Sequence, residues 1–141
     1  MEGYHQQQYG QPVKRYVQTL DLVNDPEAIR TYRWLHSESV HWKEIRDGIR
    51  AVGILEMEVY IVGDRLVMIV DAPADFDWDT AMARLATMPR QAEWEETVGK
   101  YQRSRPGATS NEKWTMMERI FHLYDDKDTT AQPVNPDNKT Y

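Results

Sequence analysis

The stretch "ILEMEVYIVGDRLVMIVDAP", residues 54–73, constrains the fold more than any other. Two runs of alternating apolar and polar residues meet at Gly63-Asp64, where glycine can adopt positive φ. That pattern predicts an antiparallel β-hairpin. A third run, "VKRYVQTLDL" from Val13, alternates in the same way and predicts a strand ahead of the hairpin.

Helical patterns fill the spaces between these strands. In "NDPEAIRTYRWLH", Asp25 is a credible N-cap, Pro26 suits the first helical position and Glu27 complements the helix dipole. At about 100° per residue, Ile29, Tyr32 and His36 share one face. Ile45, Ile49 and Val52 form a second stripe out of phase with the first, which predicts a break between Ser37 and Trp42. Gly53 ends that second helix. Trp78, Met82 and Leu85 mark a further helix, and Pro89 is expected to open another with Trp94, Val98 and Tyr101 as its stripe. "SRPGATSNE" reads as a loop and "KWTMMERIFHL" as a final strand. The order β-α-β-β-α-β is the ferredoxin-like arrangement, an α+β fold on an antiparallel sheet. Helices cover one sheet face, and a second copy of the chain would cover the other.

The 141 residues suffice for one domain, with residues 1–12 expected as a disordered lead, 13–123 as the folded unit and 124–141 as a disordered tail. A net charge of -6 argues against binding nucleic acid, whose phosphates demand a basic face. No apolar run approaches the roughly 20 residues of a membrane span, and the N-terminus lacks a signal peptide's apolar centre. The absence of cysteine removes thiolate nucleophiles and most structural zinc sites, and is compatible with a cytoplasmic protein.

Candidate chemistry centres on Tyr32 and His36. At i and i+4 a phenol and an imidazole project together from one helix face. A hydrogen-bonded pair within the core satisfies this pattern, and so does a polar constellation inside a cavity, where histidine moves protons near neutral pH. His36 and His41 stand five residues apart and cannot point at one metal from a helix, and no H-E-x-x-H spacing exists. Five tryptophans leave room for a sugar site, since aromatic faces stack on carbohydrate C–H surfaces, although core packing explains them equally. Glu56 and Glu58 flank Met57 on the opposite strand face and read as solvated or at the rim of a site. No Gly-x-Ser-x-Gly elbow or phosphate-binding loop is present.

The motifs "KRYVQTLDL", Tyr32-x-x-x-His36, "EIRDGIRAVGILEMEVY", "RLVMIVDAPADFDWD", "RQAEWE" and "EKWTMMERIFHL" occur in an order that resembles the L-rhamnose mutarotase family, with its relatives acting on L-fucose. The resemblance implies a dimeric α+β barrel of ferredoxin-like subunits. It also implies an isomerase that interconverts the α and β anomers of a 6-deoxy-L-hexose without cofactor or metal. Carried over residue by residue, the catalytic histidine that acts as proton donor is His36 and the substrate-contacting tyrosine is Tyr32. A second family tyrosine falls at Met57, and a tryptophan pair falls at Glu93 and Trp94. Met57 and Glu93 depart from the family pattern, and a carboxylate at Glu93 could accept a sugar hydroxyl, which inclines the expectation toward L-fucose over L-rhamnose. In "VHWKEI", Lys43 stands where the family has proline, and His41 receives no role. The competing expectation is a dimeric α+β barrel that binds a sugar or other ligand without turnover, since fold alone does not fix activity.

Overall fold

The computed structural model describes residues 1–104 and 108–124. The expected tail from residue 125 onward lies outside the described residues. Strand β1 (Val13–Asp21) pairs antiparallel with β3 (Arg65–Pro73), which pairs antiparallel with β2 (Glu56–Val62) across the Gly63-Asp64 turn. Gly63 adopts φ 59°, the left-handed conformation this turn requires. A two-residue β4 (Thr115–Met116) joins the other edge of β1, giving the order β2-β3-β1-β4, which is ferredoxin-like.

Helix α1 (Pro26–Leu35) begins where expected, with the Asp25 carboxylate accepting from the Ala28 amide at 3.0 Å. The chain breaks after Leu35, and α2 (Lys43–Ala51) follows, ending at Gly53 with φ 101°. In α2, Gly48 allows close approach to the chain ahead of α4, since a Cβ there would lie 3.1 Å from the Met88 Cβ. Asp77 caps α3 (Trp78–Leu85). Helix α4 (Gln91–Gly99) starts two residues later than Pro89 suggests, because Arg90 ahead of it adopts a left-handed φ of 62°.

The expected final strand differs most. Residues Ser110–Lys113 form a short helix, α5, closed by a reciprocal Thr109–Glu112 capping box. Only Thr115 and Met116 then pair with β1, although the Met117 amide still reaches the Val17 carbonyl at 2.7 Å. Ile120 and Phe121 are 92% and 75% exposed. Among the described residues no element covers these two side chains.

One sheet face carries Leu20, Leu66, Val70 and Ala72 against the helices, in two buried clusters. The first gathers Tyr32, Leu35 and Val98, the second Ala81 and Leu85, and Met68 packs against both. On the opposite face Arg15 grips the buried Asp71 carboxylate with two hydrogen bonds of 2.7 and 3.0 Å, and Tyr9 donates to it at 2.9 Å. Tyr4 meets Tyr60 edge-on at 5.7 Å. Residues 1–12 contain no helix or strand.

Candidate active site

Between the sheet and the helices, over Met68, lies a cavity of about 710 Å³, within the range of roughly 300–1,000 Å³ usual for small-molecule sites. Tyr32, His36, Met57 and Trp94 all line it. The four come from α1, β2 and α4, so the tertiary fold assembles what the sequence scatters.

Helix α1 stacks Tyr32 and His36 with ring centroids 4.4 Å apart, as the i, i+4 spacing requires. The His36 Nδ1 lies 2.8 Å from the Tyr32 carbonyl oxygen. A carbonyl only accepts, so Nδ1 carries the hydrogen and the neutral ring keeps its lone pair on Nε2. Burial disfavours the charged form and pushes the pKa below the ordinary imidazole value, with the carbonyl bond opposing. The residue as a whole remains exposed at the cavity.

Tyr32 is buried, and burial pushes its phenol up to about 12 against the opposing bond from Gln102. The Gln102 amide nitrogen donates to the hydroxyl at 3.4 Å. The phenol therefore accepts from Gln102 and keeps its own hydrogen for another acceptor. Trp94 meets His36 edge-on at 5.2 Å and Trp42 edge-on at 5.2 Å. The Arg90 guanidinium stacks 4.0 Å over the Trp42 ring, completing a column from Arg90 through Trp42 and Trp94 to His36 and Tyr32.

Glu93 does not join the cavity lining. Its carboxylate is exposed and accepts from Arg90 Nε and Nη2 at 3.0 and 3.2 Å. That pairing holds its carboxyl below the usual carboxylate range. The neighbouring position on a helix turns by about 100°, and Trp94 takes the inward direction. A sugar contact from Glu93, and the inclination toward L-fucose drawn from it, lack this geometric support.

The sequence reading missed four buried polar residues of the lining: Gln18, Gln91, Gln102 and Lys113. His41, given no role, lines the cavity as well. The signal was present as polar side chains on apolar stripes: Gln91, Trp94, Val98 and Gln102 follow 3-4-4 spacing, and Gln18 lies between Tyr16 and Leu20 on the inner face of β1. Lys113 donates from Nζ to the Glu95 carbonyl at 2.9 Å and sits 3.4 Å from where a Cβ on Gly99 would be. Burial pushes its pKa down, with Glu95 opposing.

A family model described as L-rhamnose mutarotase matches residues 15–123. An L-fucose mutarotase of Xanthomonas campestris pv. campestris is 36% identical over 111 residues, covering 79% of this chain and 89% of the relative. A UPF0734 protein of Dictyostelium discoideum is 32% identical over 114 residues, covering 78% and 90%. Among solved structures, an L-rhamnose mutarotase from Formosa agariphila superposes with a TM-score of 0.59 at 15% identity, covering 79% of this chain and 99% of that one. Tetracenomycin F2 cyclase from Streptomyces glaucescens superposes with a TM-score of 0.51 at 14% identity, covering 79% and 97%. These two structures share the fold, and at such identities they speak to nothing further. The sequence matches carry more, since the family model spans residues 15–123 and the relatives cover most of both partners: this chain belongs to the L-rhamnose mutarotase family.

Proposed function

We propose that the protein is a mutarotase that interconverts the α and β anomers of a 6-deoxy-L-hexose, L-fucose ahead of L-rhamnose, without metal or cofactor. The observation that carries this reading is His36, whose Nδ1–H is spent on the Tyr32 carbonyl so that Nε2 serves the cavity. The sugar preference rests on the 36% identical relative, which is an L-fucose mutarotase.

Ring opening of a hemiacetal requires removal of the C1 hydroxyl proton and delivery of a proton to the ring oxygen as the C1–O bond breaks. Neutral His36 takes the first on Nε2. Tyr32, protonated across the physiological range, donates to the ring oxygen, whose alkoxide is the stronger base. Rotation about C1–C2 of the aldehyde exposes its other face, and closure returns both protons. Trp94 offers an apolar surface to the sugar. A positioned acid–base pair contributes about 10²–10⁴-fold, which suits a reaction that proceeds unaided.

A homodimer, closed as an α+β barrel, is the assembly this reading includes, supported by the exposed sheet face and the apolar segment after β4. The cytoplasm is its proposed compartment. Among the described residues no helix is long and apolar enough to cross a membrane.

Saturation-transfer NMR on L-fucose and L-rhamnose tests the activity. The protein is expected to accelerate exchange between the anomer signals, and His36→Ala to lower kcat about 10²–10⁴-fold. Unchanged exchange on both sugars would leave a ligand-binding barrel without turnover.

A further inference from the structure

Three buried side-chain atoms among the described residues have no hydrogen-bond partner: Gln91 Oε1, Gln102 Oε1 and His41 Nδ1. All three residues line the one cavity that holds Tyr32 and His36. Orphaned buried acceptors are costly, and a fold retains them where something else satisfies them.

The two glutamines are the more constrained. Gln91 is 4% exposed and Gln102 6%. Both amide nitrogens are turned to the protein: Gln91 Nε2 toward Glu95 Oε1 at 3.5 Å, Gln102 Nε2 toward the Tyr32 hydroxyl at 3.4 Å. Rotating the Gln91 amide by 180° would set its oxygen against a carboxylate oxygen that already accepts from the Ser110 amide at 2.7 Å. Its carbonyl oxygen is therefore the end of the amide left without a partner, on a residue that lines the cavity. Gln102 is fixed at its backbone by an isolated bridge to Leu22. The two stand on either side of Trp94 along one stripe, with an aromatic surface between two acceptors.

We propose that Gln91 and Gln102 are the specificity-determining residues of this site, their amide oxygens accepting hydrogen bonds from ring hydroxyls of a sugar whose C–H face lies on Trp94. This rests on the mutarotase reading and extends it. Each amide oxygen is without a partner, and a ligand rich in hydroxyl donors supplies one. Gln102 also joins recognition to chemistry, since the same amide orients the Tyr32 phenol.

Gln91→Met and Gln102→Met keep side-chain length and remove the acceptors. Each variant is expected to unfold at the same or a higher temperature than the parent, because an unsatisfied buried acceptor is lost. Each is also expected to lose about 10- to 100-fold in kcat/KM for anomer exchange, mostly through KM for Gln91→Met and through kcat as well for Gln102→Met, whose amide also holds Tyr32. Gln102→Glu, which keeps an accepting oxygen, should recover part of the loss. Singly deoxygenated analogues of the better substrate complete the cycle: removal of one ring hydroxyl should cost the parent about tenfold and cost the matching Met variant nothing more. Activity unchanged in both Met variants, or stability and activity falling together, overturns the proposal. Failure of the parent protein to accelerate exchange overturns the mutarotase reading instead, so the two failures are distinct.

Discussion

His36 shows how one backbone acceptor sets the chemistry of a side chain. The Tyr32 carbonyl fixes the tautomer, burial disfavours the charged ring, and in the proposed mechanism the combination supplies a base at neutral pH. The pH dependence follows in sign. Because the pKa is lowered, the working neutral form persists below the ordinary value of about 6.5. The enzymatic part of kcat/KM should therefore stay level through neutral pH and fall on the acid side with a midpoint below about 6.5. A profile of anomer exchange against pH checks this, and an acid limb centred above that value would contradict it. At this scale the sequence was partly legible. The Tyr32 and His36 pair could be read because a helix repeats at a known angle. Gln91 and Gln102 could not, because a polar residue on an apolar stripe becomes meaningful only once a cavity is seen beside it.

Helix α4 depends on the residue before it. Arg90 occupies a left-handed conformation that costs a non-glycine residue about 1–2 kcal/mol, and it is the only non-glycine residue with positive φ among those described. Offsetting this, its guanidinium stacks on Trp42 and pairs with Glu93 and Glu44, the latter at 3.4 Å. Arg90→Ala removes these contacts and retains the backbone cost, whereas Arg90→Gly removes both. Denaturant unfolding should find the glycine variant more stable than the alanine variant by about 0.5–1 kcal/mol. The reverse order would mean that the turn is not strained. The hairpin, the Asp25 cap and the break after Leu35 were legible because each is written in local turn chemistry. The late start of α4 was not, since Pro89 reads as a helix opener until a long-range stack on Trp42 holds Arg90 out of the helix. The final strand was read too long for a related reason: alternation says that a segment can pair, not that a neighbour is there to receive it.

The sheet has two unlike faces. Helices bury one side of the sheet, and the other presents Val17, Val67 and Ile69 half-covered around the Arg15–Asp71 pair. Beyond β4 the chain carries Ile120 and Phe121 into solvent. Sedimentation equilibrium should give the parent protein twice the chain mass of 16.6 kDa. Phe121→Asp should shift it toward the single-chain value. The lone subunit would tolerate that change, because the side chain is 75% exposed there. A parent protein sedimenting as a single chain would remove the dimer.

The bond between His36 Nδ1 and the Tyr32 carbonyl reaches further than tautomer choice. With one nitrogen anchored, the imidazole has a single door: the proton that enters at Nε2 as the sugar opens must leave from Nε2 as it closes. Whichever anomer arrives, the histidine finishes in the state in which it began. No separate resetting step is needed between turnovers, in either direction, and like any catalyst the protein would hasten the approach to equilibrium while leaving the final ratio of anomers to the sugar itself.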